Sequence, residues 1–150
     1  DDETFRNVNR KSVQTSGVEL QADWQPLPAL LLRSQATYTD IDVKNEESVL
    51  TGRPEWTASL VARWQVYEDW DTALDYLYAG HQWAASRHTG ELVTEQLDDY
   101  HRLDWVLRWQ MARAWQVQLS IDNVLDEDYE TAVGFDAPGR EFRFGITFRN

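Results

Sequence analysis

The chain has 150 residues, 26 of them acidic and 14 basic, for a formal charge of -12. That balance speaks against a nucleic-acid partner, and the absence of cysteine excludes disulfides and thiolate-bound metals. Aromatics make up 13% of the chain and eight are Trp, heavy for a soluble domain, yet no apolar run approaches the roughly 18 residues of a membrane-spanning helix.

Spanning β-strands would need no such run, because only alternate residues face lipid. Residues 1–10 are polar and without a period, and read as the tail of a loop. Asp1-Asp2-Glu3 is a poor start for a signal peptide, so an exported protein is expected here as a processed chain or a fragment. The first strand runs from Lys11 to Trp24, with Val18, Leu20, Ala22 and Trp24 alternating against Glu19, Gln21 and Asp23. Side chains alternate across a strand, so it carries one apolar and one polar face. Gln25-Pro26-Leu27-Pro28 reads as a tight connection, since proline cannot join a ladder interior.

The second strand covers Ala29 to about Thr39, with Leu30, Leu32, Ala36 and Tyr38 on one face. Residues 40–54 are long, charged and contain Gly52 and Pro54, the composition of a loop. The third strand, Glu55 to Val66, sets Trp56, Ala58, Leu60, Ala62, Trp64 and Val66 against Thr57, Ser59, Arg63 and Gln65. After a short turn at Tyr67-Glu68-Asp69, the fourth runs from Trp70 to about His81. Residues 82–98 form a second long loop, and Asp99 to Gln110 a fifth strand carrying Leu103, Trp105, Leu107 and Trp109 on one face. Met111 to Ala114 turn into the sixth strand, where Trp115, Val117, Leu119 and Ile121 alternate with Gln116, Gln118, Ser120 and Asp122. A third long loop, 125–139, leads to the last strand, where Phe142, Phe144, Ile146 and Phe148 oppose Arg143, Gly145, Thr147 and Arg149.

Seven strands thus alternate short turns with long loops, the asymmetry of transmembrane barrels. Strands of about ten residues at roughly 3.3 Å each, tilted about 45°, rise about 25 Å, the height of an apolar membrane band. The short turns bring Trp24, Trp64, Trp70, Trp109, Trp115 and Phe148 to one edge, and Tyr38, Trp56, Tyr78 and Tyr100 to the other. Two aromatic girdles are expected of a barrel wall. The opposite face carries Glu19, Asp23, Arg33, Arg63, Asp75, Arg102, Asp104, Arg108, Asp122, Arg143 and Arg149. So many charges are too costly for a small dry core but acceptable in a wet or plugged lumen.

The run Ile121-Asp122-Asn123-Val124-Leu125-Asp126-Glu127-Asp128-Tyr129-Glu130, followed by Gly134-Phe135 and Pro138-Gly139-Arg140-Glu141, resembles the C-terminal end of TonB-dependent outer-membrane receptors. Gly17-Val18-Glu19-Leu20, Tyr38-Thr39-Asp40, Arg53-Pro54 and Tyr78-Ala79-Gly80 resemble their strand-end signatures, in the same order. The closest likeness is to vitamin B12 and siderophore receptors. The resemblance implies an all-β fold, an antiparallel transmembrane β-barrel segment of about seven meandering strands, and the C-terminal portion of a barrel of about 22 strands. Residues 1–150 are then C-terminal barrel, with the plug domain and N-terminal barrel strands absent from it. It further implies residence in the bacterial outer membrane, contact with outer-membrane lipid and lipopolysaccharide, and a ferric siderophore or cobalamin as transported ligand. TonB would act through the absent N-terminal part. The resemblance also implies the barrel-assembly machinery as a partner, which reads the final aromatic residue usual in the family; here Arg149 and Asn150 follow Phe148.

Loop residues Trp83, Arg87, Tyr129 and Phe135 are the candidate ligand contacts. His81, His88 and His101 show no metal-ligand spacing. Asp126-Glu127-Asp128 with Glu130, and Glu95 with Asp98-Asp99, could offer oxygen ligands to calcium but lack an EF-hand pattern and read first as solvated, hairpin-shaping loops. Pro138-Gly139-Arg140 reads as a turn into the last strand. With no Gly-x-Ser-x-Gly and no cysteine, the chain reads as no enzyme and as having no cofactor. Two other readings stay open: a soluble acidic β-sandwich binding module, and a self-standing small structural barrel with residues 1–10 as an eighth strand.

Overall fold

The computed structural model describes residues 13–43, 50–87 and 90–149. Its elements in chain order are β1 (Val13–Leu27), β2 (Leu30–Val43), β3 (Trp56–Tyr67), β4 (Trp70–Ala79), β5 (Gln82–Ser86), β6 (Val93–Leu97), β7 (Tyr100–Ala112), β8 (Trp115–Asp122), β9 (Glu130–Ala132), β10 (Phe135–Asp136) and β11 (Glu141–Phe148). Seven of them form one sheet in the order β1-β2-β3-β4-β7-β8-β11. Every pairing is antiparallel. The chain therefore meanders, each main strand beside the next. Two of the long connections hold ribbons of their own, β5 with β6 and β9 with β10, where the sequence suggested plain loop.

The register sorts the side chains into rows. One apolar row runs across the whole sheet through Trp24, Leu32, Ala62, Leu74, Trp105, Ile121 and Phe142. The row beside it holds Leu30, Trp64, Thr72, Leu107, Leu119 and Phe144. This face stands open: Leu20 is 68% exposed, Trp24 64% and Phe142 72%. Apolar surface left in water costs about 25 cal/mol per Å², and so large a patch marks a face that meets something apolar. A soluble sandwich would cover it with a second sheet. Among the described residues the other two sheets are small ribbons at the long-loop end, so the sandwich reading fails. Residues 1–12 lie outside the described residues, and with them the suggested eighth strand. The sheet's edges, β1 and β11, are not paired with each other, so it is an open segment of wall.

One polar exception on the apolar face is satisfied locally. Trp105 Nε1 donates to Thr72 Oγ1 at 2.9 Å, and that hydroxyl donates to the Val106 carbonyl at 2.9 Å. In lipid an unpaired indole N–H has no water to turn to. Replacing Thr72 by the near-isosteric Val should cost about 1–2 kcal/mol, read as urea unfolding from lipid vesicles, whereas Thr72→Ser should restore most of it.

The three short turns share a design. Their central residues are Pro28-Ala29, Glu68-Asp69 and Arg113-Ala114; the second and third lie within the turns read from the sequence, and the first begins at the last residue of the 25–28 connection. Among the described residues positive φ occurs only at Gly52, Gly90, Gly134, Asn123 and Asp126. None of the three turns is therefore of the left-handed kind that suits a two-residue hairpin. Each is accompanied instead by a register shift with one extra residue on its first strand, between Trp24 and Leu27, Gln65 and Tyr67, and Trp109 and Ala112. Such a bulge restores the twist, and it accommodates Pro26 inside β1.

A glutamine marks each turn. Gln25, Gln65 and Gln110 each follow a Trp and precede the next strand's first residue by five positions. Their side-chain amides donate to the carbonyls of Pro28 (3.0 Å), Glu68 (3.4 Å) and Ala112 (2.7 Å). The last residue of each turn also ties to the next hairpin: Ala29 O accepts from Gln65 N, Asp69 O from Gln110 N, and Ala114 O from Arg149 N. Trp-Gln also occurs at 115–116, so it is the five-residue spacing to the next strand that sets these three apart. At the other end of β1, Gly17 is required because a Cβ there would run into the Tyr38 carbonyl oxygen.

Candidate functional site

Apart from Ala79 at the end of β4, the buried apolar side chains of the described residues lie outside the main sheet, at the long-loop end. Ala84 of β5, Leu97 of β6 and Val133 beyond β9 form one cluster, 6%, 7% and 3% exposed, with Val93 packed against it. The two ribbons are thereby pressed together. Gly52 N donates to the Trp83 carbonyl at 2.6 Å, so the end of the 40–54 connection is tied to β5 as well. Gly52 has φ 73°, a conformation that only glycine adopts freely.

Asn123 anchors the last loop to the wall. It is 2% exposed and sits at φ 50°, in the left-handed region that Asn tolerates better than most residues. Its backbone N–H donates to Asp104 Oδ1 at 2.9 Å, its side-chain amide donates to the Glu127 carbonyl at 2.9 Å and the Pro138 carbonyl at 3.4 Å, and its Oδ1 accepts from Glu127 N at 3.0 Å. Asp126, at φ 57°, closes the loop base by accepting from Arg140 N at 2.9 Å, with the Arg140 guanidinium 3.5 Å away. Asp126 and Arg140 are thus engaged with each other in shaping the hairpin. Glu130 likewise caps the β9–β10 turn, accepting from Gly134 N at 2.9 Å.

The polar face of the sheet is a lattice of charge pairs. Asp23 binds Arg33 through two bonds of 2.8 and 2.9 Å, Asp104 binds Arg102 at 3.0 and 2.7 Å, and Asp71 binds Arg108 at 2.9 Å. Arg143 reaches both Asp122 and Glu141. Paired and half-exposed, these charges suit a wet or polar neighbour and would be costly in a dry core. A concavity of about 480 Å³ on this face is lined by Arg63, Asp75, Asp104, Arg108, Asp122 and Arg143 among others.

The aromatic residues fall at both strand ends of the apolar face. Trp70 and Trp109 stack at 5.1 Å and Trp115 meets Phe148 at 4.9 Å near the short turns; Tyr38 meets Trp56 at 4.8 Å and Tyr78 meets His101 at 5.0 Å at the other end. Trp24 and Trp64 stand on the same apolar face. Tyr100 is a correction. It pairs with Ala79, in the row of Thr57, Thr37 and Glu19, and so belongs to the polar face. Its ring stacks on Tyr129 of the last loop at 4.1 Å, with Arg102 within interaction range of the Tyr129 hydroxyl. Alternation from Leu103 back to Tyr100 would have shown this.

Of the candidate ligand residues, Tyr129 lines a cleft. That cleft, of about 590 Å³, lies between the two ribbons, walled by Glu95, Gln96, Leu97, Asp98 and Asp99 on one side and by Asp128, Tyr129, Glu130, Asp136 and Ala137 on the other. Trp83 neighbours Ala84 on the opposite side of β5, and Arg87 follows that strand. Phe135 is 59% exposed on β10. Trp83, Arg87 and Phe135 are not among the residues that line this cleft. His81 lies 3.7 Å from Asp99, His101 accepts or donates a 2.7 Å bond with the Tyr76 hydroxyl, and His88 lies outside the described residues.

A family model described as TonB dependent receptor-like, beta-barrel, matches residues 1–124. The chain belongs to the TonB-dependent receptor-like β-barrel family. The setting of this family is the bacterial outer membrane, and the open apolar face suits it. The fold recurs in solved receptor structures. The ferric-catecholate import receptor Fiu of E. coli superposes with a TM-score of 0.76 at 20% identity, over 91% of this chain and 21% of that one. The ferripyoverdine receptor of the outer membrane of Pseudomonas aeruginosa gives 0.74 at 18% identity over 91% and 19%. The siderophore receptor PiuA from Acinetobacter baumannii gives 0.73 at 20% over 91% and 22%. The chain spans about a fifth of the length of these receptors.

Proposed function

We propose that the chain supplies the last seven strands of the barrel wall of a receptor that imports ferric siderophores across the outer membrane. The observation that carries this is a single antiparallel sheet with one face open and apolar between two aromatic bands and the other laced with charge pairs. Lipid and lipopolysaccharide meet the first face, and the lumen with its plug meets the second. The three long connections are extracellular. They offer Trp83, Arg87, Tyr129 and Phe135 to ligand, and the Tyr100–Tyr129 stack beside Arg102 extends that surface toward the lumen mouth. The likeness to siderophore receptors favours a ferric siderophore over cobalamin. TonB acts through a part of the receptor outside this chain, the barrel-assembly machinery reads the aromatic end of β11, and the segment performs no catalysis.

Deleting the receptor should abolish uptake of radiolabelled ferric siderophore by iron-starved cells, and an uncoupler should abolish it in the parent strain. Loss of cobalamin uptake with siderophore uptake intact would reverse the ligand assignment.

A further inference from the structure

The cleft between the two ribbons has walls that ought to separate. Glu95, Asp98 and Asp99 line it from one ribbon's side and Asp128, Glu130 and Asp136 from the other's, and like charges repel. Beneath it, Ala84, Leu97 and Val133 exclude water, and Leu97 belongs both to that cluster and to the cleft lining. The ribbons are therefore held at their base by apolar burial and pushed apart at their rim by charge. Each is also fixed to the wall independently: β5 begins three residues past the end of β4, and the last loop is pinned by Asn123 and by the Asp126–Arg140 contact. Gly52 bonding to Trp83 adds the remaining long connection on the outer side of β5.

We propose that the two ribbons, with Gly52 attached, act as one preassembled outer platform keyed by Val133, which stays joined while ligand is captured and passed inward. Long extracellular loops otherwise behave as separate flaps. Here the order of a cleft wall on one loop depends on a residue of another. This rests on the reading of these connections as extracellular.

Because these 150 residues hold no cysteine, the introduced thiols are the only ones in this segment, and the single variants report any thiol elsewhere in the receptor. The receptor would carry Ala84→Cys with Val133→Cys, and each single variant as control, and would be oxidised in intact cells or treated with a short bis-maleimide. Linkage within the chain is read by gel mobility and siderophore uptake is read before and after reductant. The expected result is linkage in most molecules with or without ligand, and equal uptake by linked and reduced receptor. Two results overturn the proposal: no linkage in receptor that reaches the outer membrane, or linkage that abolishes uptake until reductant restores it. If no ligand is taken up by any form, the transport reading fails, while the linkage yield still decides whether the ribbons form one body.

Discussion

Leu60→Arg should destabilise the barrel by about 2–4 kcal/mol, whereas Ser59→Arg, one residue earlier, should change it by no more than about 0.5 kcal/mol. Leu60 lies near the middle of β3, in the row of Ser34 and Tyr76 on the open apolar face, and is 43% exposed. An arginine there puts a charge near the bilayer midplane, where desolvation dominates. Ser59 lies opposite Gln35 and Leu77, in the row that reaches Arg102, and a charge there joins a face already carrying many. Urea unfolding of the receptor from lipid vesicles measures both. Equal losses would mean that the faces are not different solvents.

Asn123→Ala should lower the local stability of the last loop by about 3 kcal/mol, combining an unfavourable left-handed backbone for Ala with loss of the side-chain amide bonds. Asn123→Gly should recover the backbone part and leave the hydrogen-bond part, falling between wild type and Ala. Asn123→Asp keeps an acceptor for Glu127 N but loses the donors to the Glu127 and Pro138 carbonyls. Amide exchange of residues 124–140 reads the ladder of effects. If Ala and Gly lose the same amount, the positive φ is not what selects Asn.

The main sheet was legible because its signal is period two, and period two survives even when only one face is apolar. All seven main strands stand where alternation put them, within a few residues. The ribbons β5–β6 and β9–β10 were not legible, since their short strands are rich in Glu, Gln and Thr and are held by three small apolar residues drawn from distant positions. No local pattern marks Ala84, Leu97 and Val133 as partners. Pro26 misled the placement of the first turn, because its ring fits a bulge whose existence depends on the turn type rather than on proline itself. The Asp-Asn-Val-Leu-Asp run was visible as a motif, but its physical role, a left-handed Asn bridging β7, β8 and the last loop, needed the geometry. Tyr100 is the converse case: nearness to a strand end suggests the girdle, whereas alternation from Leu103 puts it on the polar face, as its pairing with Ala79 does.

The central claim is that one face of the sheet meets lipid and the other the lumen. Single cysteines placed at each position from 57 to 66, in the receptor reconstituted in vesicles, would carry an environment-sensitive fluorophore. Lipid-borne quenchers should act on even-numbered positions and water-borne quenchers on odd-numbered ones, with a two-residue period through the strand. Uniform access of the aqueous quencher to both sets, without a period, would contradict the account and return the apolar face to water or to another protein.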